Sequence, residues 1–313
     1  MNIFVAGHNG MVGSAILRLL KEDKNLNIFT ETRDCLDLKK SDKVYEYLKD
    51  NSINHIYLAA AKVGGIKANN EYPVDFLYEN LSIQNSVISS AYKAKIEKLL
   101  FLGSSCIYPK FSDQPIKESA LLSGYLEETN EPYAIAKIAG IKLCQAYNRQ
   151  FKTDFRCLMP TNLYGPNDNF DLSSSHVLPA LIKKIHDAKI SSSNVVEIWG
   201  SGEVKREFLH VDDLANASIF FLNLSKDKFF TNNSLGYINI GTGDDIKIID
   251  LAKEIADIIG FHGEFKLNKN MPDGTPRKLL DISLARNLGW KPKIQLRDGI
   301  DKTYSWFKAN LES

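Results

Sequence analysis

The chain has 313 residues, 44% of them hydrophobic and 25% charged, an ordinary globular balance with length for one large domain or two smaller ones. Its 39 Lys and Arg against 38 Asp and Glu leave a net charge of +1, so no bulk field points to nucleic acid or an anionic membrane. No apolar run approaches the ~20 residues of a transmembrane helix, no signal peptide is expected ahead of the opening strand, and four cysteines without a C-x-x-C pair suit a reduced, cytoplasmic setting.

Strands are predicted at 2–7, 26–30, 55–60, 98–103 and 154–160, with helical patterns around 12–23, 41–50, 74–95 and 131–150 between them. This alternation predicts βαβ units and an α/β fold, a doubly wound parallel sheet of Rossmann type covered on both faces. After Tyr164 the rhythm breaks into the loop "YGPNDNFDLSSSH". A helix at 177–188 follows, then strands near 195–199 and 205–209, a helix at 212–224, a strand at 237–241, and helices at 247–259 and 298–311. The expected organisation is a dinucleotide-binding domain over 1–165 that takes back segments around 209–241, and a smaller C-terminal α/β substrate lobe over 166–208 and 242–313.

The first strand runs into "AGHNGMVGSAI", with Gly7, Gly10 and Gly13 in G-x-x-G-x-x-G spacing at the mouth of a helix. Glycines there let the backbone approach a pyrophosphate, and the helix N-terminus offers free N–H groups. The candidate cradle is the whole turn, with His8, Asn9, Met11 and Val12 between the glycines. At the end of the second strand, Glu31 and Arg33 stand where an acid would grip the ribose of NAD and an arginine the 2′-phosphate of NADP. Arg33 favours NADP, and Asp37 and Leu38 are placed to flank the adenine.

In "EPYAIAKIAG", Tyr133 and Lys137 lie four residues apart on one helix face. The strand before that helix ends in "GSSCIY", where Ser104 precedes Tyr108 by four. A phenol of pKa ~10 needs a nearby cation to work near neutrality. With Lys137 and a positive nicotinamide ring beside it, Tyr133 would give a proton to a forming alkoxide, and Ser104 would hydrogen-bond the same oxygen. Glycine turn, serine and Tyr-x-x-x-Lys together resemble the extended short-chain dehydrogenase/reductase superfamily.

The resemblance narrows to the GDP-L-fucose synthase family, GDP-4-keto-6-deoxy-D-mannose epimerase-reductases, on "YLAAAKVGGIKANN", "FLGSSCIYPK", "EETNEPYAIAKIAGIKLC", "MPTNLYGPNDNF", "SHVLPAL", "WGSGEVKREFLHVDD" and "PDGTPRKLLD". With the glycine turn these stretches cover nearly the whole chain. The family often has a basic residue after the turn's histidine, where this chain has Asn9, which leaves Arg33 as the main reader of a 2′-phosphate. The resemblance implies NADP(H) as cofactor. Leu102, Gly103, Ser104 and Ser105, Pro160, Thr161, Asn162 and Leu163, together with Lys137 and His176, would line its nicotinamide end. Lys184, Trp199, Arg206, Asp273 and Lys278 would hold a GDP-linked 4-keto sugar. It also implies a homodimer built on helices 74–95 and 131–150, with no nucleic acid, membrane or metal partner.

A 4-keto sugar acidifies the protons on C3 and C5, and inverting either carbon needs a base on one face and an acid on the other. A thiol and an imidazole exchange protons near neutrality. Cys106 lies two residues past Ser104, and His176 follows the loop expected to close over the sugar. Cys35, Cys144 and Cys157 have no such neighbours and read as packing. The resulting reading is NADPH-dependent epimerisation at C3 and C5, then reduction at C4, giving GDP-L-fucose. The alternative is a C4 reductase of a GDP-4-keto-heptose or dideoxyhexose fed by a separate epimerase. A non-catalytic cofactor sensor on the same fold is a third reading, against which the full Ser104–Tyr133–Lys137 set argues.

Overall fold

The computed structural model describes residues 1–231, 233–271 and 273–310. Its first ten elements alternate as the sequence predicts, apart from an added short helix α3: β1 (Asn2–Ala6), α1 (Met11–Leu20), β2 (Asn27–Phe29), α2 (Ser41–Asp50), β3 (His55–Leu58), α3 (Ile66–Glu71), α4 (Pro73–Lys93), β4 (Lys98–Leu102), α5 (Glu131–Phe151) and β5 (Phe155–Pro160). There follow β6 (Asn162–Tyr164), α6 (Val177–Ile190), β7 (Val195–Trp199), β8 (Lys205–Arg206), β9 (Phe208–His210), α7 (Val211–Asn223), α8 (Lys226–Thr231) and β10 (Tyr237–Ile240). The last are β11 (Ile246–Lys247), α9 (Ile248–Ile259), β12 (Glu264–Asn268), β13 (Arg277–Lys278), α10 (Ser283–Asn287) and α11 (Leu296–Ala309).

Six strands form one parallel sheet in the order β10-β5-β4-β3-β1-β2. The unbroken apolar run of β4 has a direct cause: Leu99 and Phe101 face one core while Leu100 and Leu102 face another. A strand covered on both sides has no polar face to show. The first core lies under α2, α4 and α5, with Val44, Val87 and Ile141. The second lies under α1 and α7, with Ile16, Leu214 and Phe221. A third core joins α6, α9 and α11 to β7 through Ile182, Ile255, Phe307 and Ile198. At the bottom of the sheet the fully buried Arg156 is held by Asp154 at 2.6 and 2.7 Å, so its charge is paired.

The order in which the chain adds strands reverses between β1 and β3, at the crevice where ligands bind in such folds. The predicted elements differ from the structure mainly in the second half. The strand expected at 205–209 breaks at Glu207 into β8 and β9, which belong to different sheets. The pattern gave no warning of β6, β11, β12, β13, α3, α8 or α10, each of two to six residues. The last residue of the helix expected at 298–311 lies outside the described residues. Cys144 and Cys157 are buried in the first core as expected, but Cys35 is exposed and is not a packing residue: it lies in the open loop after β2.

Candidate active site

The cofactor end is built by backbone. Gly7 has φ +90°, which favours glycine, and a side chain there would meet the Ala60 backbone at 2.6 Å. At Gly13 a Cβ would stand 2.1 Å from the Gly7 carbonyl, so α1 packs directly on the turn. Gly10 is the N-cap of α1, with no side-chain cap and no acid in the first turn, so free N–H groups face the crevice. Met11 and Val12 pack onto the second core, Asn9 is exposed, and the Nδ1 of half-buried His8 has no partner. This cradle fits a pyrophosphate.

Around the adenine end the side chains are more open. Arg33 has 71% of its side chain exposed and meets Glu79 only at 3.6 Å, which leaves it free to turn toward an anion. Glu79 also binds Lys62 at 3.0 Å, and Asp75 binds the same ammonium at 2.9 Å. Asp37 accepts the Lys39 N–H at 3.1 Å, and Leu38 packs on the first core.

Beyond β4 the chain turns sharply. Ser104 is extended, and its Oγ accepts the Cys106 N–H at 3.3 Å, starting a 3₁₀ turn over Ser105–Ile107. This short turn puts hydroxyl and thiol on the same rim of the sheet. Tyr133 and Lys137 reach that rim from the first turns of α5. Lys137 is buried, donates to the Leu102 carbonyl at 2.9 Å, and has its ammonium 5.7 Å from the Tyr133 ring centre.

Burial governs the protonation of this cluster. It lowers Lys137 to about 8, with the charge of Cys106 working against the shift. It pushes the Tyr133 phenol upward, followed by the Cys106 charge, while a hydrogen bond with Ser104 works the other way. The expected lowering rested on Lys137 together with a nicotinamide ring; among the protein's own groups desolvation wins, and Tyr133 is held protonated. Burial also raises the Cys106 thiol, opposed first by Lys278, then by Ser104 and Lys137.

His176 caps α6 without using its side chain. It is open to solvent at the cleft mouth, yet the surrounding walls and then Lys278 lower its pKa, so the imidazole is neutral. The loop before it is clasped at both ends: Asn167 donates to Ser14 at 2.9 Å, and Ser174 accepts the Gly65 N–H at 2.8 Å.

The predicted sugar-nucleotide residues fall into two groups. Lys184 stands 5.0 Å over the Trp199 ring, a cation–π pair at the outer edge. Arg206 and Lys278 are register partners of β8 and β13, each depressed by burial, and Lys278 is the cation nearest in effect to both Cys106 and His176. Asp273 lies beside Arg206. Its carboxylate accepts the Ser201 N–H at 2.7 Å, and it is its carbonyl that takes Arg206 at 3.2 Å. Pro160 ends β5, Thr161 and Asn162 donate to the Glu207 carbonyl at 3.2 and 2.8 Å, and Leu163 packs on the second core.

Sequence reasoning passed over three acids. Glu127 faces Arg206 and Lys278 and pairs with Lys110 at 2.9 Å. Asp168 is pushed up to about 7 by burial in the clasped loop. Glu207 is fully buried. The only hint in the chain was their place inside the stretches that carried the resemblance. Among the described residues, no group of three or more His, Cys, Asp or Glu is arranged to hold a metal.

A family model described as the NAD dependent epimerase/dehydratase family matches residues 3–236. The chain belongs to that family. Within the epimerase/dehydratase family it is 52% identical to the GDP-L-fucose synthase of Escherichia coli, over 99% of this chain and 97% of that protein. Among solved structures it resembles a GDP-6-OMe-4-keto-L-xylo-heptose reductase from Campylobacter jejuni, with TM-score 0.91, 38% identity and coverage of 98% and 97%. It also resembles a GDP-L-fucose synthetase from Naegleria fowleri bound to NADP, with TM-score 0.87, 25% identity and coverage of 100% and 95%.

Proposed function

We propose that this chain is an NADPH-dependent epimerase-reductase that converts GDP-4-keto-6-deoxy-D-mannose to GDP-L-fucose. The observation that carries it is the placement of Cys106 and Ser104 on one turn beside Tyr133 and Lys137, in a chain 52% identical to a GDP-L-fucose synthase.

The glycine turn and α1 hold the cofactor pyrophosphate, Arg33 meets the 2′-phosphate, and the segments 102–105 and 160–163 line the nicotinamide. When bound, NADPH supplies the hydride that reduces C4. Lys184 and Trp199 hold the outer part of the GDP-sugar, and Arg206 and Lys278 its diphosphate, with Asp273 setting Arg206 in place.

Cys106 removes the proton from C3 and from C5, and His176 returns one on the opposite face. At rest both are neutral, so the reactive form carries the thiol proton on the imidazole. Lys278, Ser104 and Lys137 all favour the thiolate in that exchange. After inversion, Tyr133 gives its proton to the C4 oxygen while Ser104 hydrogen-bonds it. A phenol kept protonated by burial is poised as this donor.

The division into a cofactor domain over 1–165, with returning segments at 209–241, and a substrate lobe over 166–208 and 242–313 belongs to this reading. So does a homodimer: α4 and α5 pack side by side and leave Tyr78, Tyr92, Ile135 and Phe151 exposed. Among the described residues no helix is long and apolar enough to cross a membrane, and a cytoplasmic setting is proposed. The likeness to the heptose reductase favours one second reading, reduction of a GDP-4-keto-heptose inverted elsewhere. Incubation of each ketone with NADPH and NMR of the products separates them. GDP-L-fucose from the uninverted 6-deoxy ketone is the expected result; reduction without inversion overturns it.

A further inference from the structure

The strand predicted at 205–209 breaks at a fully buried carboxylate, and the surroundings of that carboxylate explain the break. Residue 206 ends β8, which pairs with β11 and β13 in a small separate sheet. Residue 208 begins β9, which pairs with β6 directly after the main sheet. Glu207 is the hinge between them. Its carbonyl accepts from Thr161 at 3.2 Å and Asn162 at 2.8 Å. Its Oε1 accepts the N–H groups of Thr242 and Gly243, each at 2.7 Å, and its Oε2 accepts the Leu280 N–H at 3.0 Å. At Gly241 a Cβ would stand 2.2 Å from Oε1, so only glycine lets the turn close over the carboxylate.

We infer that Glu207 is a positioning residue that holds the cations Arg206 and Lys278 in register with the nicotinamide-lining turn at Thr161 and Asn162. The inference rests on the reading of Arg206 and Lys278 as diphosphate ligands. β8 and β13 are two residues long, and their pairing sets Lys278 opposite Arg206. So short a ladder is weak by itself. The bond from Leu280 to Glu207 anchors β13 two residues past Lys278, and the chain fixes Arg206 one residue before the same carboxylate. The side chain makes no ion pair with either cation; it acts on them through backbone. The groups bonded to the carboxylate, at Thr242, Gly243 and Leu280, all donate to it, so an acceptor-only carboxylate matches the site. Glutamine would turn an NH₂ toward an N–H and lose at least one bond.

The test measures GDP affinity, NADPH affinity and thermal midpoint for wild type, Arg206→Ala and Glu207→Gln. Glu207→Gln is expected to weaken GDP about tenfold with NADPH within about twofold, and to raise KM for the GDP-sugar more than it lowers kcat. A merely structural role would lower the midpoint and the active fraction with GDP affinity and KM intact, and that result overturns the inference. If Arg206→Ala weakens GDP while Glu207→Gln does not, the diphosphate reading stands and the positioning role falls. If Arg206→Ala leaves GDP binding unchanged, the diphosphate reading fails and takes the inference with it. Should Glu207→Gln not fold, Gly241→Ala disturbs the same carboxylate from the opposite side and is expected to weaken GDP in the same selective way; unchanged GDP binding in a folded Gly241→Ala also overturns it.

Discussion

The two ends of the cleft are made differently. At the cofactor end the pyrophosphate cradle is one continuous stretch, Gly7 to Gly13, whose shape is set by backbone contacts that side chains would block. The sugar end is assembled from the 3₁₀ turn after β4, the start of α5, the cap of α6 and two-residue strands far apart in the chain. A site of the first kind fails when a single Cβ is added. A site of the second kind depends on ties such as Glu207 that touch no substrate.

The largest effect expected from this contrast is on the chemistry where the two ends meet. Tyr133→Phe removes the proton donor and is expected to slow reduction of a pre-inverted ketone by about two to four orders of magnitude. Cofactor affinity, measured by fluorescence titration, should hold because the phenol is not a main anchor of the cofactor. Near-normal turnover would remove Tyr133 from the mechanism.

At the cofactor end, Gly13→Ala forces a Cβ to within 2.1 Å of the Gly7 carbonyl. A loss of roughly 1–3 kcal/mol in stability is expected, with NADPH affinity falling more than GDP affinity. Equal losses at both ends would break the claim that the two are built independently.

The epimerisation step sharpens the contrast through pH. One proton shared between Cys106 and His176 gives a bell-shaped kcat/KM. Its acid limb should lie below the ordinary ~6.5 of imidazole and its basic limb above the ordinary ~8.5 of a thiol, because burial lowers one group and raises the other. A narrow bell between those two ordinary values would contradict the opposite shifts of the two groups. A smaller effect belongs to Arg33→Ala, which should weaken NADPH about tenfold relative to NADH. Equal losses for both cofactors would mean that this exposed arginine does not read the 2′-phosphate.

The same contrast explains what was legible in the chain. The parallel sheet and its helices were readable because strands buried on both faces leave unbroken apolar runs, as in β4. The glycine turn was readable because all of it lies within seven residues. Ser104, Tyr133 and Lys137 needed the resemblance to gather them, and the structure brings them together around Cys106. The ties were not legible. Two-residue strands carry no period, and nothing in "KREFLH" says that its glutamate turns inward to three backbone donors from two other segments. Nor does spacing disclose that Asp273 uses its carboxylate on Ser201 rather than on Arg206. Nor does the four-residue spacing to Lys137 disclose the upward push on the Tyr133 phenol, because burial is a property of the folded surroundings.

The most direct test of the bifunctional reading is deuterium exchange. GDP-4-keto-6-deoxy-D-mannose is incubated in D₂O without NADPH, with wild type and with Cys106→Ser, and C3 and C5 are followed by NMR. The account predicts exchange at both carbons with wild type and its collapse in Cys106→Ser, while NADPH-dependent reduction of the uninverted ketone persists in the variant. Wild-type exchange by Cys106→Ser, or none by the wild type, would contradict it.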